Sequence, residues 1–101
     1  MIRIPDEVDS AHPAFPGHFP GNPVVPGVLL LARISRAVAQ ASGRPVVEVP
    51  AVKFLAPLAP GDKFEIQFEE PHSAATVKFR VSRGHVLVAS GALRLGADAV
   101  A

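Results

Sequence analysis

The sequence predicts an α+β fold in which an antiparallel sheet curls around a single long helix. Three observations carry that expectation. One stretch, Val28 to about Ser42, repeats its apolar residues with the period of a helix. After Pro45 the period drops to two through a series of short segments bounded by turn residues. Six of the 11 prolines fall between Pro5 and Pro26, which bars a regular helix or an inner strand from that region.

Each element follows in order. Met1–Pro5 reads as a short further strand, and the proline-rich segment after it as a loop or leader. Phe15 and Phe19 favour order there, because aromatic side chains need burial. Pro26 and Gly27 open the helix, Gly43 closes it, and Pro45 prevents its continuation. Arg33, Arg36 and Gln40 mark one polar stripe. Leu30, Leu31, Ile34, Ala37, Val38 and Ala41 cover most of the remaining surface, so the helix is expected to be largely enclosed.

Val52 and Phe54 then lead into Leu55, and the prolines and glycine up to Asp62 form a turn. Phe64, Ile66 and Phe68 alternate with Glu65, Gln67 and Glu69, the pattern of a half-buried strand. Pro71-His72-Ser73 turns the chain. Val77, Phe79 and Val81 alternate with Thr76, Lys78 and Arg80, and Arg83-Gly84 makes a tight hairpin into His85–Leu95. Residues 97–101 are expected to fray. A four- or five-stranded sheet of this length leaves a long edge strand, which pairing edge to edge in a dimer would cover.

The bulk numbers narrow the function classes. The 101 residues suit one domain with one core, 49% of them hydrophobic and 19% charged. A net charge of +1 gives no reason to expect nucleic acid or an anionic membrane as the main partner. The chain has no cysteine, so it has no disulfides and no thiolate chemistry. The four histidines have no histidine or carboxylate at metal-ligand spacing, and no phosphate-binding glycine loop is present; no metal or cofactor is expected. The N-terminus lacks the apolar run of a signal peptide and no segment is long enough to span a bilayer, so a cytoplasmic location is expected.

The chemistry concentrates in His18-Phe19-Pro20-Gly21-Asn22-Pro23-Val24-Val25-Pro26-Gly27-Val28. This string places a histidine on a proline-stiffened loop ahead of a helix N-terminus. It can hold a general base beside backbone N–H groups that grip a carbonyl oxygen. His12 reads as structural, and His72 and His85 as solvated turn residues. Arg33 and Arg36 read as a solvated or inter-subunit stripe. Arg44, Lys53, Lys78 and Arg80 are candidates for meeting an acidic carrier protein or its phosphopantetheine phosphate, although scattered cations serve solubility equally well.

The string from Gly17 to Leu31 resembles the hotdog-fold 3-hydroxyacyl-(acyl carrier protein) dehydratases of fatty-acid and aryl-polyene-type synthesis. Val52-Lys53-Phe54-Leu55-Ala56-Pro57-Leu58-Ala59-Pro60-Gly61-Asp62 is similar to that family's strand and turn after the helix. The resemblance implies a hotdog fold over residues 1–101, dimeric, acting on acyl thioesters of carrier protein or coenzyme A. It implies His18 as the base that removes the α-proton, and the Gly27 and Val28 amides as donors to the thioester carbonyl. Phe19 and Pro26 would border the substrate. The family's acid, a Glu or Asp on the first helical turn that works in the other subunit's site, falls at Ala32, so that role is vacant. Ser35 and Arg36 lie on the same side of the helix, and Glu7 and Asp9 are carboxylates of the N-terminal region. Two further readings follow: a non-catalytic acyl-binding or heterodimer subunit, and, ranked last, a thioesterase.

Overall fold

The computed structural model describes residues 1–9 and 24–97. Strand β1 (Ile2–Glu7) precedes helix α1 (Gly27–Ser42), and four strands follow: β2 (Val46–Phe54), β3 (Lys63–Phe68), β4 (Thr76–Arg83) and β5 (Val86–Leu95). They form one five-stranded antiparallel sheet in the order β1-β3-β4-β5-β2. The sheet curls around the helix, as expected.

The core lies where the inner face of the sheet meets the inner face of α1. Phe68 lies opposite Phe79, Ile66 opposite Val81, and Val77 opposite Leu93, all buried. Leu30, Ile34, Ala37 and Val38 of α1 are buried on the helix side. Curling needs local departures from a regular ladder. Register shifts occur in the β4–β5 pair at Val81/Ser82 and at two places in the β2–β5 pair. Gly91 serves the same bend: a Cβ there would collide with the Ala51 carbonyl oxygen and sit 3.0 Å from the Phe79 ring.

Several boundaries differ from expectation. β1 runs two residues past Pro5, because Pro5 sits on an edge strand, where proline is tolerated. Pro50 occupies the opposite edge, in β2. The hairpin turn is Gly84-His85, with Gly84 at φ 59°, one residue later than predicted.

The helix is also less enclosed than its composition suggests. Val28, Ala32, Arg36 and Gln40, spaced four apart, form an outward stripe. Arg33 is only half-exposed, because its guanidinium reaches across to β1. At the C-terminus Gly43 adopts φ 69° and its N–H bonds the Ala39 carbonyl, ending the helix as the sequence indicates. Among the described residues no helix is long and apolar enough to cross a membrane.

Candidate active site

The first turn of α1 has free backbone donors. Pro26 caps it from an extended conformation without any side-chain hydrogen bond, and no acidic residue lies in that turn. The Pro26 carbonyl accepts from the Leu30 N–H, so the helix proper begins at Gly27. The N–H groups of Gly27 and Val28 therefore have no acceptor within the helix and sit at its positive end. An oxygen gaining negative charge is what such a position stabilises.

Beside this turn lies an apolar cavity of about 370 Å³, bordered by Val25, Gly27, Leu30, Phe54, Leu58 and Val88 among others. Val25 is tied to the loop after β2 by a 2.7 Å bond from its N–H to the Leu58 carbonyl. Phe54 and Leu55 stand at the cavity half exposed, at 50% and 53%, and Val28, which follows Gly27 in the helix, is 83% exposed. A Cβ at Gly27 would stand 2.9 Å from the Phe54 ring, so the close approach over this backbone is made by an aromatic side chain of β2. Alternation along β2 gives the face of Phe54 but not the helix turn it touches.

A second groove, about 460 Å³, runs along the opposite flank of α1 against β1. Ala32 lines it, together with Arg33, Arg36, Gln40, Ile4 and Asp6. Ser35 is half-buried and does not line this groove. Of the N-terminal carboxylates it is Asp6, and neither Glu7 nor Asp9, that lines it. Asp6 Oδ1 accepts from Arg33 Nη1 at 2.8 Å and from the Glu7 N–H at 2.8 Å. The signal was present in the sequence: period-two alternation from Ile2 puts Ile2, Ile4 and Asp6 on one face.

Other expected site residues fall elsewhere. His18, Phe19 and His12 lie outside the described residues. Pro26 is the N-cap residue of α1. Arg44 is committed to the fold: Nε donates to the Gly96 carbonyl at 2.9 Å, and Nη1 to the carbonyls of His72 and Ala74 at 3.1 and 2.7 Å. His72 and His85 are exposed at turns.

Comparison with known proteins agrees with the geometry. A family model described as ApeI-like, ApeI dehydratase, matches residues 2–92. A 3-hydroxyacyl-[acyl-carrier-protein] dehydratase FabZ from Gluconacetobacter diazotrophicus is 34% identical over 85 residues, covering 72% of this chain and 53% of that protein. The FabZ dehydratase of Nitratidesulfovibrio vulgaris is 38% identical over 80 residues, covering 64% of this chain and 49% of its own. The chain thus spans about half the length of these relatives. Among solved structures, the dehydratase heterocomplex ApeI:P from Xenorhabdus doucetiae superimposes with a TM-score of 0.79 at 26% identity, covering 94% of this chain and 86% of that one. A mutant of the fluoroacetyl-CoA-specific thioesterase FlK matches at TM-score 0.62 and 17% identity, which shows the fold alone. An uncapped helix start over an apolar cavity, a curled five-stranded sheet and the family match agree: this chain is a hotdog-fold protein and belongs to the ApeI-like dehydratase family.

Proposed function

We propose that this chain is a subunit of a dehydratase acting on 3-hydroxyacyl thioesters, carried by acyl carrier protein or coenzyme A. The observation that carries the reading is the first turn of α1, whose unpaired amides stand beside an apolar cavity. The thioester carbonyl accepts from the Gly27 and Val28 N–H groups, and the acyl chain lies along Leu30 and Val88. His18 removes a proton from the α-carbon. The electron pair forms the α,β double bond as the β-carbon–oxygen bond breaks, and the departing hydroxyl takes a proton to leave as water. The amides hold the negative charge that develops on the carbonyl oxygen between these events.

Ala32 carries no proton, so the acid comes from elsewhere. A partner subunit is the favoured source, for two reasons. Val28, Phe54 and Leu55 expose apolar surface beside the cavity, and edge strand β2 has an unpaired side in a single chain. A relative of this fold is known as a heterocomplex. In the second reading, favoured by Ala32 itself, the chain binds acyl groups and lends its helix start to a catalytic partner.

The deciding measurement is turnover of 3-hydroxyacyl thioesters by wild type and His18→Ala, each alone and mixed with a related hotdog subunit that carries Glu or Asp at the helix position. Activity that depends on His18, alone or in the mixture, supports the dehydratase reading. Activity only in the mixture, unchanged by His18→Ala, assigns the chain the supporting role. No turnover under either condition overturns both.

A further inference from the structure

The sheet has two edge strands, β1 and β2, and their free sides differ. Along β1 the backbone groups alternate in direction: Ile2, Ile4 and Asp6 turn theirs toward β3, and Arg3, Pro5 and Glu7 turn theirs to the open side. Three observations fix this phase. The Glu7 N–H donates to Asp6 Oδ1 at 2.8 Å, and the Glu7 carbonyl accepts from Arg33 Nη1 at 3.3 Å, so side chains take both groups. The Val8 carbonyl, next in the chain, accepts at 2.8 Å from the Gly61 N–H, in the turn that leads into β3. Pro5 has no N–H to give to a ladder, and proline within a sheet fits on an open side.

Such an edge beside an apolar groove invites a further strand. The groove between β1 and α1 holds Ile4, Leu29, Ala37 and Ile66, on which alternate side chains of an added strand would settle. An added antiparallel strand exchanges bonds with residues whose N–H and C=O are both free. At Pro5 the N–H does not exist. At Glu7 both groups are already bonded. Of the open-side residues of β1 only Arg3 offers a complete pair. The cover at Glu7 is itself held together by charge. Asp6 Oδ1, which accepts from the Glu7 N–H, also accepts from Arg33 Nη1 at 2.8 Å, so one ion pair between α1 and β1 occupies both Glu7 groups. Strand β2 has a proline too, Pro50, but among the described residues no side chain bonds its backbone.

We infer that Pro5, Asp6 and Arg33 close the β1 edge to strand addition, so that a second copy of this chain does not lengthen the sheet on that side. The consequence is a limit on assembly. With both edges open, copies would add at each end and the sheet would grow without a stop. With β1 closed, edge pairing of copies has one surface to use and ends at two. Arg33 is then on the helix for a reason other than solubility: it reaches across the groove to a carbonyl that would otherwise accept from a neighbour. The inference does not rest on the dehydratase reading, whose steps use neither Asp6 nor Arg33.

The test opens the edge in the full chain. The chain has no cysteine, so a thiol placed on β1 reports contact there without background. The triple variant Pro5→Cys, Asp6→Ala, Arg33→Ala restores an N–H at position 5 and frees both Glu7 groups. Sedimentation over a range of concentrations should show it reaching about twice the wild-type mass or more, while wild type does not change. A short bismaleimide should cross-link the enlarged species through position 5. The double variant Arg36→Ala, Gln40→Ala, which alters the same groove but leaves the cover in place, should keep the wild-type mass. A second measurement needs no association: amide exchange at Glu7 should quicken by about tenfold or more in Asp6→Ala, as its acceptor is lost. A folded triple variant that keeps the wild-type mass overturns the proposal, and so does growth without cross-linking at position 5. Should the triple variant fail to fold by circular dichroism, the Glu7 exchange decides, and an unchanged rate in Asp6→Ala overturns the proposal.

Discussion

The two flanks of α1 are built from one run of sequence yet suit opposite chemistry. On the β2 flank, Gly27, Leu30 and Phe54 border an apolar cavity beside the first turn of α1, which has no side-chain cap. On the β1 flank, Ala32, Arg33 and Arg36 border a groove whose fixed charge is the Arg33–Asp6 pair. In the proposed reading the first flank binds with backbone, which many side-chain changes would leave in place. The second would depend on side chains, and Ala32, where the family resemblance puts the acid, has no proton to give. A family resemblance is thus safer evidence for the oxyanion-binding half of a site than for its acid.

Four measurements would break or sharpen this contrast. Ala32→Glu should raise turnover of a 3-hydroxyacyl thioester by about 10²–10⁴-fold, the usual worth of a positioned general acid. An unchanged rate would mean that the missing acid is not the defect on that flank. Gly27→Val should lower stability by about 1–3 kcal/mol, since its side chain would enter the Phe54 ring. In a domain this small that is a fall of about 4–8 °C in Tm per kcal/mol. Adding Phe54→Ala should recover part of the loss, and no recovery would remove Phe54 from the explanation.

Asp6→Asn should cost about 1 kcal/mol, because the Arg33 guanidinium keeps a bond but loses its counter-charge in a half-exposed setting. Chemical denaturation with urea at low and high salt checks this, the difference shrinking as salt rises. Arg36→Ala should change stability by less than about 0.5 kcal/mol, as its exposed side chain makes no ion pair or hydrogen bond. A larger effect, or a fall in turnover, would give the β1 flank a role that its present contacts do not.

Much of this was legible before any coordinates. Pro26, Gly27 and Gly43 bound the helix because their backbone preferences are local. The alternation from Phe64 to Phe68 and from Val77 to Val81 gave two inner strands and the face each buries. β2 was harder. Its exposure does not alternate cleanly, because it lies at the sheet edge and its register against β5 shifts twice. The outward stripe of α1 was misplaced for a related reason: Arg33 looks polar in sequence but is drawn inward by Asp6, 27 residues earlier in the chain.

The sequence alone determined the curled α+β fold, the family, the place of the helix start and the absence of an acid at position 32. Each of those is written in local spacing or in residue identity. Only the tertiary structure decided that Phe54 lies over Gly27, that Asp6 is the carboxylate beside the Ala32 groove, and that Arg44 is tied to three carbonyls rather than open to a partner. These are contacts between residues far apart in the chain. Sheet register and curl fix them, and no pattern along a single strand contains that information.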